Sequence, residues 1–352
     1  MSGQVPFHNC EQERGEGVDE CGTVDPAPHN TKTKYVVEQN RLSRKGEADE
    51  MLEKGIQQHQ NREFDGALWS FHHALCIYNE LTDRRGAGRA FGAIALTSYA
   101  LGDFRKAIDY AQESCDIARE IQDRRLEGQA LGNLGNAYRH LGNHAKAIEY
   151  EHQSLVIVRE LNNRGGEVAA LNNLGLAYKA LGEYEKAIDY QQQSLRVARA
   201  LGDRSAEGQI LRNLGNACYA QGHYVQAIEY YEQRLSVAHS LEDHRVEGQI
   251  LRNLGNACYA LGDYTKAIGY SQKRLAIAQA VGDMRSQEQA LGNLGVAYDA
   301  LGHYAQAINY YEQRLNIART IQDKRVEEQA LGSLRVACYA LGDYAKIMEY
   351  HQ

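Results

Sequence analysis

Proline is nearly missing from this chain: there are three, Pro6, Pro26 and Pro28, all within the first 28 residues. Nothing beyond them withholds a backbone N–H, so the remainder is free to be helical throughout. Long apolar runs are missing too, and no stretch approaches the roughly 18 apolar residues of a membrane-spanning helix. The opening MSGQVPFHNCEQERGEG has neither the apolar segment nor the cleavage site of a secretory leader, which points to a cytoplasmic protein.

Positive charge is the scarcer sign, 39 Lys and Arg against 46 Asp and Glu, for a net charge of −7. Binders of nucleic acid or anionic membranes rely on clustered Lys and Arg, so neither is an expected partner. Motifs that carry chemistry are absent as well. There is no GxxxxGK[ST], no HExxH and no Cys/His ligand spacing, and no Ser/His/Asp set stands out among the repeats. Gly86-x-Gly88 followed by Gly92 has the outline of a dinucleotide loop, but no β-branched strand precedes it. No catalytic residue, metal or cofactor is therefore expected. The seven cysteines form no disulfide framework: Cys218, Cys258 and Cys338 share one position, held by Tyr138, Tyr178 and Tyr298 elsewhere, and read as packed free thiols. Cys10 and Cys21 lie near the N-terminus without a CxxC.

What is present is periodicity. The octad Leu131-Gly132-Asn133-Leu134-Gly135-Asn136-Ala137-Tyr138 returns in near-copies at Leu171, Leu211, Leu251, Leu291 and Leu331, forty residues apart. Units begin near Arg84, Arg124, Arg164, Arg204, His244 and Met284, with a partial one from Lys324. Each carries two apolar stripes at helical spacing, such as Ala170, Leu171, Leu174, Ala177 and Tyr178, then Ala187, Ile188, Leu195 and Ala198. Leu181-Gly182-Glu183 supplies a glycine stop and an acidic restart, and Gly202-Asp203 repeats the device. Gly135 and its equivalents, with Ala147, Ala187, Ala227, Ala267 and Ala307, are small residues where facing helices come closest. Residues 1–45 lack periodicity and read as a disordered tail, with residues 46–352 forming seven repeats plus a partial C-terminal one.

These repeats resemble the tetratricopeptide (TPR) family, with large residues at Leu131, Leu134 and Tyr138, small ones at Gly135 and Ala147, and the turn glycine at Gly142. The forty-residue form is similar to the Leu-Gly-Asn repeats of the LGN/Pins proteins and to bacterial TPR arrays. The resemblance implies an all-α superhelix of antiparallel hairpins whose first helices line a peptide-binding groove. Glu232-Gln233-Arg234 and Glu312-Gln313-Arg314 echo a fragment of the GoLoco motif but lie inside repeat helices.

Variation along the implied groove column singles out Asn136 and Arg139, then Asn172 and Lys179, then Gln209, Arg212, Asn216 and Tyr219, then Gln249, Arg252, Asn256 and Tyr259. Arg, Asn and Tyr in an acidic molecule predict a groove for an acidic peptide segment of a protein partner, extended or helical, with arginine holding carboxylate. The competing reading pairs Arg212 and Arg252 with neighbouring acids on a solvated face. Asn133, Asn173, Asn213, Asn253 and Asn293 are expected to satisfy backbone groups between repeats. The expected function is a non-enzymatic interaction scaffold; the alternative is the sensing or recruiting arm of a longer signalling protein, modulator-like or bacterial.

Overall fold

The computed structural model describes residues 29–240 and 243–350. They form sixteen helices and, among the described residues, no strand. Helices pair as hairpins in chain order. The first four are α1 (His29–Gln60) with α2 (Phe64–Glu80), α3 (Arg84–Ala100) with α4 (Phe104–Glu120), α5 (Arg124–His140) with α6 (His144–Glu160), and α7 (Arg164–Ala180) with α8 (Tyr184–Leu201). Then follow α9 (Arg204–Ala220) with α10 (Tyr224–Ser240), α11 (His244–Leu261) with α12 (Tyr264–Ala280), α13 (Met284–Ala300) with α14 (Tyr304–Thr320), and α15 (Lys324–Leu341) with the short α16 (Tyr344–Glu349).

The expected tail, 1–45, divides at residue 29. Residues 1–28, with Cys10 and Cys21, lie outside the described residues, whereas 29–45 belong to α1. Over residues 41–45 polar side chains tie the helix to its neighbours. Arg41 donates to the Leu81 carbonyl at 3.2 Å, Arg44 bonds Glu80 at 2.5 Å, and Lys45 reaches Asp83 at 2.7 Å. A pattern search keyed to hydrophobic spacing passes over such an extension.

Local chemistry sets the helix ends. Asp123, Asp203 and Asp263 each accept a bond from the backbone N–H three residues on, at 3.1, 2.9 and 3.0 Å. Glu183 is an exception to the expected acidic cap: its carboxylate makes no cap bond and pairs with Lys186 at 2.6 Å. The hairpin turn needs glycine, as at Gly182, whose φ of 79° is left-handed.

Packing is local, as a repeat array demands. Substantial contacts are confined to helices adjacent or next-but-one in the chain. Next-but-one approaches join odd-numbered helices, α3 to α5, α5 to α7, α7 to α9 and α11 to α13, so the first helices lie on the inner side of the curve. Leu131, Leu134, Leu171, Leu174, Leu211 and Leu214 are fully buried and fill the spaces between them. The octad glycine admits the side chain sixteen residues on. A Cβ on Gly135 would stand 2.6 Å from Glu151 Cγ, and one on Gly175 would stand 2.5 Å from Gln191 Nε2.

A ladder of ion pairs ties most of the hairpins to the next. Buried Glu127 lies between Arg119 and Arg124 at 3.0 and 2.7 Å; Glu167 and Glu207 repeat the arrangement with Arg159 and Arg164, and with Arg199 and Arg204. Burial pushes the Glu127 and Glu207 carboxyls up, but their paired arginines outweigh it and hold both below the usual range. The ladder changes between α12 and α13, where Gln287 replaces the glutamate and donates to the Ala278 carbonyl.

Candidate functional site

The inner face carries a run of cationic side chains. Lys179 on α7 is half-buried, and Arg212 on α9 and Arg252 on α11 are exposed. Among the described residues, none of the three has a carboxylate within ion-pair distance, whereas most arginines on the outer rungs do. Burial, and then the charge of Arg212, lowers the Lys179 ammonium below its ordinary range. Lys179 and Arg212 therefore stand close enough for the charge of one to act on the other, with no carboxylate paired to either among the described residues.

Three open cavities follow the column. One of about 400 Å³ is lined by Asn136, Asn172 and Gln209 among others. Another, of about 210 Å³, lies between Tyr219, Asn256 and Tyr259. The third, of about 570 Å³, is bounded by Gln249, Arg252, Arg245, Arg274, Ser286 and Gln289. Tyr219 and Tyr259 are 38% and 39% exposed, and each is braced by a second ring, Tyr224 at 5.3 Å and Tyr264 at 5.2 Å. Braced aromatic rings offer contact area with little entropy left to lose.

Several of the expected groove residues are engaged within the protein. Arg139 donates to Asn136 Oδ1 at 3.3 Å and contacts His140. Asn172 accepts from Asn213 at 2.9 Å through its side chain and from Gln191 at 2.9 Å through its carbonyl. Asn216 accepts the Tyr231 hydroxyl proton at 2.7 Å, and Asn256 accepts weakly from Asn293 at 3.4 Å. This corrects the role expected of the second asparagine column. Asn173, Asn213 and Asn293 bond side chains, namely Glu151, Asn172 and Asn256, rather than backbone groups. The physical reason is that the first helices already satisfy their own backbones, leaving side-chain acceptors as the unpaired groups.

With that geometry in place, the chain can be set beside known proteins. A tetratricopeptide repeat family model matches residues 126–200, 166–240 and 241–320, more than half of the sequence. The chain belongs to the tetratricopeptide repeat family. No curated protein matches it. A signal-transduction ATPase with a tetratricopeptide repeat sensor from Pyrococcus horikoshii is 20% identical, with a TM-score of 0.66, over 87% of this chain and 47% of that one. Aspartyl phosphate phosphatase F from Bacillus subtilis is 17% identical, with a TM-score of 0.56, over 83% and 76%. A Rap protein complexed with competence and sporulation factor is 19% identical, with a TM-score of 0.52, over 80% and 76%. At these identities the likeness is one of fold.

Within this TPR array, the groove also contains residues that sequence reasoning passed over as pattern. Arg234 on α10 and Arg274 on α12 are only 6% and 5% exposed, although they stand on second helices. Arg274 Nη2 donates to Gln289 at 2.7 Å, while its Nη1 is buried with no partner. Burial, and then the adjacent Arg252 charge, pushes the Arg274 guanidinium down to about 10; burial and Arg212 lower Arg234 in the same way. The signal was readable, because the same column is Ser114, Ser154 and Ser194 in earlier repeats. Serine there is a packing residue, its hydroxyl donating to the carbonyls of Gly88, Gly128 and Val168.

Among the described residues, no helix is long and apolar enough to cross a membrane, and no cluster of His, Cys, Asp and Glu has the arrangement of a metal site.

Proposed function

We propose that this TPR array is a non-enzymatic scaffold that holds an acidic segment of a protein partner against its first-helix face. The observation that carries the reading is the row Lys179, Arg212 and Arg252, three cations on successive first helices with no carboxylate partner among the described residues. A partner that supplies carboxylates gains charge-assisted hydrogen bonds without first breaking internal ion pairs. Tyr219 and Tyr259 flank the row and supply apolar area. The Rap neighbour in complex with a factor shows that this architecture accommodates a ligand in another protein. Buried free thiols at Cys115, Cys218, Cys258 and Cys338 suit work in the reducing cytoplasm.

The test is charge reversal at Arg212→Glu together with Arg252→Glu, measured by titration calorimetry against an acidic partner segment. Both side chains are exposed, so helicity and melting should stay near wild type. Affinity should fall by at least roughly 100-fold, on the order of 3 kcal/mol. Arg105→Glu on α4, exposed and away from the groove column, should leave binding unchanged. A double variant that still binds within about threefold of wild type would sink the acidic-segment reading.

A further inference from the structure

The 570 Å³ cavity at α11–α13 has a closed counterpart one repeat later, and comparing the two shows what the open one lacks. In the closed version, Arg314 on α14 is bonded by Glu288 on α13 at 2.7 Å, and its guanidinium lies over Gly292, 3.2 Å from where a Cβ would stand. In the open version, Arg274 takes the place of Arg314, Gly248 that of Glu288, and Arg252 that of Gly292. One negative charge is lost and one positive charge is gained, so the open site carries two more positive charges than its closed sister. Arg245 and Asp283 also border the cavity and offset each other; in the next repeat the equivalent pair, Arg285 and Asp323, meet at 3.5 Å. Asp283 and Glu288 act on Arg274 only through space: neither forms an ion pair with it, since the Asp283 carboxylate accepts from the Ser286 backbone N–H at 3.0 Å and Glu288 is bonded to Arg314.

A buried guanidinium with an unbonded nitrogen is costly to keep unless something completes it. We infer that the Arg252–Arg274 cavity takes a phosphate monoester on a side chain of the bound peptide, a dianion matching the doubled positive excess. A carboxylate would neutralise one arginine and leave the other repelled. A phosphate monoester at neutral pH carries about −1.5 to −2 charge and three acceptor oxygens. Arg274 Nη1 supplies a buried donor, Arg252 an exposed one, and Gln249 and Ser286 border the same space. The cavity is wide enough to admit the phosphorylated side chain along with its anion. The same pattern, with Gly208, Arg212 and Arg234, stands one repeat earlier, but Ser205 there replaces Arg245 and leaves Asp243 without its offset, so the positive excess is one charge smaller.

This inference rests on the groove being a peptide site, and the experiment separates the two. Full-length protein is titrated by fluorescence anisotropy with three degenerate acidic peptide libraries, having phosphoserine, glutamate or serine fixed at the centre. Inorganic phosphate serves as competitor. Phosphoserine is expected to bind at least about tenfold more tightly than glutamate, with serine weakest. Two variants close the site by means this chain already uses. Arg274→Ser restores the residue of sister repeats, and Gly248→Glu supplies the carboxylate that Glu288 provides next door, at a position with nothing within 4 Å of a Cβ. Each should abolish the phosphoserine preference while the melting temperature rises or holds, a combination that a purely structural arginine would not give. Equal binding of the phosphoserine and glutamate libraries would overturn the phosphate inference and leave the acidic-peptide groove standing. Failure to bind any library would overturn both. Inorganic phosphate that displaces the peptide no better from wild type than from Arg274→Ser would likewise assign the preference to another site.

Discussion

At the scale of single residues, the most informative position is Glu151 on α6, which fills the notch left by Gly135. It is 1% exposed, accepts from Asn173 at 2.9 Å, and leaves its second carboxyl oxygen buried without a partner. Burial raises its carboxyl from 4.5 to about 8, against the smaller opposing effect of the Asn173 bond, so the folded protein holds it neutral at pH 7. The sign follows from linkage. The folded value lies above the unfolded one, so this group costs stability progressively as pH rises from about 4.5 to about 8 and no further above that. Gln191 shows the remedy one repeat later, donating through its amide nitrogen to the Asn172 carbonyl. Glu151→Gln should therefore match wild type near pH 4.5 and exceed it at pH 7.5 by on the order of 1–3 kcal/mol. Urea denaturation across that range checks it; a gap that does not widen with pH would show the carboxyl to be ionised in the fold. The ladder glutamates behave oppositely. Glu127 and Glu207 are held low, so their contribution is present above the ordinary carboxylate range and is lost as pH falls through the lowered folded values.

At the scale of elements, hairpins with the same pattern differ in how well they are filled. In the final one, Arg335 replaces the octad glycine and Ile347 replaces the buried alanine. Arg335 is half-buried and turns to donate to the Tyr350 carbonyl at 3.3 Å, and α16 has no buried residue. The pair is held instead by Lys346 and Tyr350 reaching Glu312 on α14, at 3.2 and 2.7 Å. Polar bonds at a half-exposed edge give less than the leucine packing of α7 and α9. Residues 331–350 should accordingly open first, exchanging amide hydrogens well before residues 211–230. Equal protection of the two stretches in a hydrogen-exchange time course would refute this.

At the scale of the molecule, the array has no global core, only clusters shared by consecutive helices, so cooperativity passes from hairpin to hairpin. Tyr231 is a vital link. It is 2% exposed, lies against Gly215, and donates its hydroxyl proton to Asn216. Gly215→Leu would thrust a side chain into that ring and part α9 from α10. Overpacking of this kind costs roughly 1–3 kcal/mol locally, but in a one-dimensional array it also uncouples the two sides. Calorimetry should resolve two transitions in place of one, with the α1–α8 half retaining the higher-melting component. A single unaltered transition would mean that coupling bypasses the α9/α10 hairpin.

Sequence alone determined the repeat helices and their order, though not the start of α1, because a forty-residue period, Asp caps, turn glycines and apolar stripes act over distances that the chain itself fixes. Leu131 and Leu134 are buried and Asp123 caps α5 for reasons legible within a few residues of each. The exposed column was legible too, at Arg212, Tyr219, Arg252 and Tyr259, since helical spacing alone assigns a face. Only the tertiary structure decided which polar residues remain available to a ligand. Asn172 and Asn216 are taken up by Gln191, Asn213 and Tyr231, partners 15 to 41 positions away. Arg274 lies in the same cavity as Arg252, on a different helix, and its missing partner is visible only beside the Arg314–Glu288 pair. Helix periodicity fixes the face on which a side chain emerges, but the packing of neighbouring hairpins determines what it meets there. Charge balance at a buried site depends on that second arrangement.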